Sequence, residues 1–325
     1  MNHLRRVFTL SALGALATAG APALAQAYPN KTIRWVVGYP AGSGLDFVSR
    51  VVAESLAKKL GQQIIIDNRP GAAGAIAASS LAQSPADGYT LLSVDIGAYT
   101  LNPHLYSKLA YDPRRDFQMI GPMVTIPMVL YVPSSMNIDT VAQFVKHVKD
   151  NPGKLSFGSS GMGNPTHLTM ELFRKSAGLE MSHVPYRGSP MVFSDLIAGL
   201  VHGFFTGPAD GMPHVKSGKL KVLATATPAR IRSLPEIPTL RESGFDVGFP
   251  VWLSMAVAAG TPPDIVSSLN KALNEVMSQP DVAQRLEESG YTVDKRTSAK
   301  ETDDFARAEY ARWGRTLPPM NIRLE

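Results

Sequence analysis

Two stretches of the chain are built alike, and that shared build restricts the fold more than any other feature. Ser156–Gly178 (SFGSSGMGNPTHLTMELFRKSAG) runs as a short strand, a glycine- and serine-rich loop, and a helix marked at both ends. Asn164 is a good N-cap and Pro165 suits the first helical position. Leu168, Leu172 and Phe173 give one apolar face, and Gly178 is a stop. Thr32–Tyr39 (TIRWVVGY), the loop Pro40–Gly44 and a helix from Leu45 to Leu60 repeat the unit, with Val48, Val51, Val52 and Leu56 at helical spacing and Gly61 at the end. Strand, loop and helix in this order predict an α/β chain with parallel strands whose carboxyl ends carry the loops.

Such loops suit an anion. Gly158, Gly161 and Gly163 allow close backbone approach, and the free N–H groups of the first helical turn point outward with the positive end of the dipole. Ser159, Ser160, Thr166 and His167 add donors, so a carboxylate is the expected guest. Capping alone also accounts for Ser, Gly and Asn at these positions. Asp46 is read as a favourable charge at a helix start, or else as a contact to ligand. His167 is read as a helix-start donor or a packed residue rather than a general base.

Further along, Gln63–Asp67 and Tyr89–Val94 read as strands. Asn68–Gly74 leads into an alanine-rich helix ending near Gln83, where Gly74 serves tight packing or ligand approach. Asp95–Asn102 is expected to be a loop at the sheet's ligand-facing end. A helix capped by Asp139 precedes the second unit. Tyr186 and Arg187 stand just before a helix that begins with Ser189 as N-cap and Pro190, where Arg187 either faces solvent or orients a ligand carboxylate. Phe204–Gly207 and Lys221–Thr225 are strands, and Arg230–Leu240 is a polar connector. Two extended apolar passages, Phe117–Pro133 and Val247–Ala258, read as a double crossing between two lobes. Helices from Pro263, Asp281 and Ser298 then return to the first lobe, and Trp252 lies near the crossing as a core residue.

Residues 1–27 read as an export signal. Arg5 and Arg6 precede an apolar Val7–Ala19, and cleavage is expected near Ala25 or Ala27, which places the mature chain in the periplasm. Loss of the two arginines takes the formal charge from +5 to +3, too little and too scattered for a nucleic-acid partner. With no cysteine, disulfides, thiol catalysis and cysteine metal sites are excluded. Ser43 and Ser160 each lack one glycine of a nucleophile elbow. Gly161-Met162-Gly163 lacks the third glycine of a dinucleotide loop, and the histidines show no paired metal spacing. No catalytic residue, metal or cofactor is therefore expected, and an exported α/β enzyme stands only as the alternative to a binding protein.

Tyr39–Arg50 (YPAGSGLDFVSR), Asn68–Gly74 (NRPGAAG), Asp87–Leu92 (DGYTLL), Gly158–Phe173, Val184–Gly188 (VPYRG), Gly218–Ala224 (GKLKVLA) and Ile237–Gly244 (IPTLRESG) occur in the order found in Bug-type solute-binding proteins, the periplasmic receptors of tripartite tricarboxylate transporters, and across the mature chain the sequence resembles that family. The resemblance implies a type II periplasmic binding-protein fold, with lobe 1 from 28–126 and 254–325, lobe 2 from 127–253, a two-strand hinge and one ligand cleft. It implies a monomer that binds a mono- or dicarboxylate and passes it to membrane permease subunits, or to a membrane sensor. Ala41, Gly42 and Ser43 with Ser159–Thr166, which includes Ser160, Gly161, Gly163 and Asn164, would grip one carboxylate. Asp95, Ala98, Tyr186, Arg187, Gly188 and Thr206 would shape the remainder, with Tyr39 beside them. Departures are Ser43 for a usual glycine, Leu45 for a small polar residue, Asn164 for a common serine, and Thr206 where the family's G-Q-V-D…F-D-N pattern has an acid. The missing acid implies an apolar or aromatic acid over an amino acid.

Overall fold

The computed structural model describes residues 28–318 and 322–324; the expected export signal, 1–27, lies outside them. In the first part of the chain β1 (Ile33–Val37) leads to α1 (Gly44–Leu60), β2 (Ile64–Asn68) to α2 (Ala75–Ala82), and β3 (Thr90–Asp95) to α3 (Asn102–Leu105) and α4 (Pro113–Asp116). β4 (Phe117–Ile126) follows. After Pro127 and Met128 a second set begins with β5 (Val129–Pro133), α5 (Val141–Asp150), β6 (Leu155–Ser159), α6 (Pro165–Ala177), β7 (Met181–Pro185), α7 (Ser189–Ile197), β8 (Gly203–Thr206), α8 (Pro208–Lys216) and β9 (Leu220–Thr225). The chain closes with β10 (Val251–Ala258), α9 (Pro263–Met277), α10 (Pro280–Glu288), β11 (Thr292–Val293) and α11 (Ala299–Thr316). None of these helices is long and apolar enough to cross a membrane.

These elements form two sheets. The first has the order β11-β4-β10-β3-β1-β2 and the second β7-β6-β8-β5-β9. β1 runs parallel to β2 and β3, whereas β10 lies antiparallel between β3 and β4. In the second sheet β6 is parallel to β7 and β8, and β5 is antiparallel to β8 and β9. All of β10 is buried, as are β3 and most of β1. Strands covered on both faces read as continuous apolar runs, and that is how the sequence writes them. Trp35 donates its indole N–H to Ser93 at 2.8 Å, which settles its one polar atom inside the core. Trp252 is buried edge-on against Tyr99 and Phe305, as a core residue at the crossing should be. Val251 pairs with Ile126, so the two passages between the sheets run side by side.

The cap and stop of α6 and the stop of α1 follow the sequence, and Ser43 adds a cap to α1 that the sequence reading did not name. Ser43 accepts from the Asp46 N–H and Gly61 ends α1 at φ 66°. Asn164 accepts from the His167 N–H and Gly178 ends α6 at φ 62°. Several expectations need correction. Asp95–Asn102 is not a loop: Asp95 Oδ1 accepts from the Ala98 N–H at 2.8 Å and starts a wide helical turn that continues into α3. The cap of α5 is Thr140 rather than Asp139, because Thr140 and Gln143 close a reciprocal capping box. Gly188, not Ser189, holds the cap position of α7. Helix α8 was hidden by Gly211 and Pro213 in its interior. Gly211 is required there, since a Cβ would come within 2.3 Å of the Tyr131 ring on which the helix lies.

Candidate functional site

Four helices, α1, α6, α7 and α8, begin at one place, and they come from both sheets. Each follows a strand directly (β1, β6, β7 and β8), so their N-termini gather at the carboxyl ends of the two sheets. They enclose a narrow cavity of about 40 Å³, room for a water or two. Ser43, Gly44 and Leu45 line it from α1, Asn164, Pro165 and Thr166 from α6, Ser189 from α7, and Thr206, Gly207 and Asp210 around the start of α8. Ile126, Met128 and Val251 add an apolar wall where the chain crosses between sheets, and Tyr39, Asp95 and Ser160 complete it. A groove of about 490 Å³ adjoins the cavity, sharing Tyr39 and Ser160 with it. Gly74, Gly161, Met162, Tyr186 and Arg187 are among its walls.

The sequence-predicted residues thus separate by role. Tyr39, Ser43, Asp95, Ser160, Asn164, Thr166 and Thr206 line the inner cavity, and Gly74, Gly161, Tyr186 and Arg187 the outer groove. The other eight line neither space. Asp46 is buried with its oxygens occupied by the Gly42 N–H, Asn68 Nδ2 and Arg50 Nε; the guanidinium and these donors hold its carboxyl below the usual range. It fastens the exposed turn of Ala41 and Gly42 to the body. Ala98 is spent on Asp95 and on the Tyr111 hydroxyl. Gly188, at φ 141°, bridges the two halves: a Cβ would stand 2.7 Å from Pro40.

The glycine loop before α6 is tied together from within, which alters the expectation of bare loop amides. Ser160 N–H donates to Thr166 Oγ1, Gly161 N–H to Ser159 Oγ and Gly163 N–H to His167 Nδ1. Asn164 Oδ1 accepts from the Thr166 hydroxyl as well as from His167 N–H, and its Nδ2 donates to Ser160 Oγ at 2.7 Å. The donors left for a guest are first-turn amides such as those of Leu45 and Thr166, which have no partner inside their helices. His167 is therefore a shaping residue. Its ring stacks on His183 at 3.9 Å, and His183 meets Ser159 Oγ at 2.7 Å. Burial pushes both imidazoles down to about 4, so both are neutral near pH 7.

Two carboxyl groups face the cavity from opposite sides. Asp95 is fully buried; its loss of hydration raises it to about 6 despite donors from Ala98 N–H and the Tyr39 hydroxyl at 2.9 Å. Asp210 Oδ2 accepts from the Thr206 hydroxyl at 2.6 Å, and its carboxyl also lies by the Ser189 hydroxyl and the Gly44 N–H. Burial raises Asp210 also, with Thr206, Ser189 and the Gly44 N–H opposing the rise. Sequence reasoning missed Asp210. An acid absent at Thr206 returns one helical turn later, where Gly207-Pro208 repeats the cap-and-proline signature of Asn164-Pro165. That repetition was the available signal.

Residues 48–322 match the family model described as "Tripartite tricarboxylate transporter family receptor". The chain belongs to this receptor family. Its fold is the two-lobe type II periplasmic-binding-protein fold, with one sheet in each lobe. The receptor is similar to the periplasmic binding protein BugD, at 27% identity and a TM-score of 0.86 over 92% of this chain and 100% of that one. It is similar to Rpa4515 of R. palustris, solved with adipate, at 32% identity and 0.87 over 91% and 99%. MatC of Rhodopseudomonas palustris, solved with bound malate, shares 27% identity at 0.84 over 89% and 100%.

Proposed function

We propose that this receptor captures a small organic carboxylate between its lobes in the periplasm and delivers it, chemically unchanged, to the membrane subunits of a tripartite tricarboxylate transporter. The observation that carries the reading is the convergence of four helix N-termini, drawn from both sheets, on one cavity. Positive dipole ends and first-turn amides suit a carboxylate, and a site of this kind needs no reacting group. Micromolar affinity requires about −8 kcal/mol, which several charge-assisted hydrogen bonds of roughly 1.5–3 kcal/mol each can supply after the cost of closure. Adipate and malate, held by the two related receptors, are small acids of this class.

In this reading Ser43, Ser160, Asn164 and Thr166 seat the carboxylate, with Tyr39, Asp95 and Thr206 as the wall. Tyr186 and Arg187 guard the groove through which ligand enters; Arg187 is exposed at its edge. Ala41, Gly42, Asp46, Gly74, Ala98, Ser159, Gly161, Gly163, His167 and Gly188 fix the loops and the close approach of the lobes. The lobes are residues 28–126 with 254–325, and 127–253, and they part about the crossing strands to admit a guest larger than the closed cavity. Residues 1–27 direct export and are removed. One chain completes the cleft, so the receptor works as a monomer. The ground for favouring an apolar or aromatic acid, the missing acid at Thr206, is removed by Asp210. Isothermal titration of the mature chain with four- to six-carbon dicarboxylates tests the reading. Binding with the acid recovered intact supports it; no binding, or turnover of the acid, refutes it.

A further inference from the structure

Beyond α11 the chain runs back beside the outer groove. Leu324 lies parallel to Tyr106, one of the groove's walls; its N–H donates to the Leu105 carbonyl at 2.8 Å and its carbonyl accepts from the Ser107 N–H at 3.1 Å. These bonds fasten Ile322–Leu324 to the end of α3, on the lobe of the first sheet. The Leu324 side chain nevertheless meets the other lobe. A Cβ on Gly163, in the loop before α6, would stand 2.5 Å from Leu324 Cδ1 and 3.1 Å from Leu105 Cδ1. Gly163 has φ 75°, which favours glycine, and the leucine fills the space that a side chain there would take. Leu324 is thereby 6% exposed. The residue it covers stands directly before Asn164, the cap whose side chain ties Ser160, Thr166 and His167 together.

We propose that Leu324 is a positioning residue for ligand capture: the strap Ile322–Leu324 latches the closed cleft by packing Leu324 on Gly163, and so sets how long a bound carboxylate is held. This rests on the two-lobe carboxylate-receptor reading above and extends it to residues that line neither the cavity nor the groove. Opening about the crossing strands carries the α6 loop away from α3 and returns the leucine to water. An apolar contact made only when the lobes are together lowers the free energy of the closed form alone. Apparent affinity scales with the fraction of chains that can close, so the latch acts on binding without touching the ligand. The same contact steadies the residue before the Asn164 cap, which joins the strap to the anion seat.

Calorimetric titration and stopped-flow dissociation of the mature chain with malate and adipate, beside Leu324→Ala and Leu324→Met, test the inference. Leu324→Ala should raise Kd roughly fivefold to tenfold, chiefly through faster dissociation. Leu324→Met, of similar volume, should recover most of the affinity. In the native chain, bound acid should slow hydrogen exchange at the Leu324 and Ser107 amides, which report attachment of the strap; this readout needs no variant. A leucine with a merely structural role would lower the melting temperature of free and loaded chains alike, and leave Kd and the effect of ligand on exchange as they were. Unchanged affinity in Leu324→Ala, a loss that Leu324→Met does not recover, or exchange at those amides indifferent to ligand overturns the latch while leaving the receptor reading in place. Failure of both acids to bind the native chain overturns both.

Discussion

Asn164→Asp separates the stability of the anion seat from its affinity. Asn164 is fully buried; its Oδ1 accepts from His167 N–H and the Thr166 hydroxyl, and its Nδ2 donates to Ser160 Oγ. Aspartate keeps both acceptor bonds and the N-cap, and loses one donor worth about 1 kcal/mol. A negative charge at a helix start returns about 0.3–1 kcal/mol, so unfolding free energy should change by no more than about 2 kcal/mol. A ligand carboxylate bound to Ser160 or Thr166 would lie roughly 5 Å from the new charge. At an effective dielectric near 20 their repulsion is about 3 kcal/mol, a loss of roughly two orders of magnitude in affinity. Asn164→Ser supplies the control, keeping a capping oxygen without the charge. Measurement at pH 8 favours the ionised form of the new carboxyl, which keeps the His167 N–H and Thr166 hydroxyl as donors. Titration calorimetry and urea unfolding of both variants give the answer. Equal affinities in the Asp and Ser variants would refute the placement of the anion.

Arg187 is exposed beside the groove, so Arg187→Ala should weaken dicarboxylate binding several-fold, with a smaller loss at high salt and an unchanged melting temperature. His167 and His183 are neutral in the fold with values near 4 against an ordinary 6.5, so the unfolded chain takes protons first as pH falls. Their contribution is whole above about pH 6.5 and is lost toward pH 4, and His183→Gln should flatten that part of a pH-stability curve measured in urea. Asp95 acts with the opposite sign. Its folded value is raised to about 6 from 3.8, so the native state holds the proton longer and its ionisation destabilises the fold as pH rises through that window. Asp95→Asn should be the more stable relative to wild type at pH 8 than at pH 4, by about 2 kcal/mol. Gly158→Ala would put a methyl 2.4 Å from Val192 Cγ1, and a cost of about 1–3 kcal/mol is expected in chemical denaturation.

Much of the architecture could be read from the chain, because its strands are buried on both faces and its helices carry conventional caps. The apolar runs of β1, β3 and β10 and the Asn164, Gly61 and Gly178 signals needed no tertiary context. What escaped had none of these marks. Met181–Pro185 is a half-exposed edge strand with polar Ser182 and His183, and the run after Asp95 turns helical where its carboxylate accepts from the Ala98 amide three residues on. At the site, Ser43, Asn164 and Thr166 announced themselves by position in a loop-helix motif. Asp210 could not, since it sits in a helix whose interior glycine and proline argue against one.

β3 and β4 follow one another in the chain, yet β10 stands between them in the sheet. The chain must therefore emerge into the folding compartment as far as Ala258 before the gap can be filled. Until then two apolar strand margins stay open, at risk of pairing with each other or with a neighbouring nascent chain. Assembly of the first sheet waits until most of the chain has emerged, and a holding factor that delays premature collapse should raise the yield of native receptor.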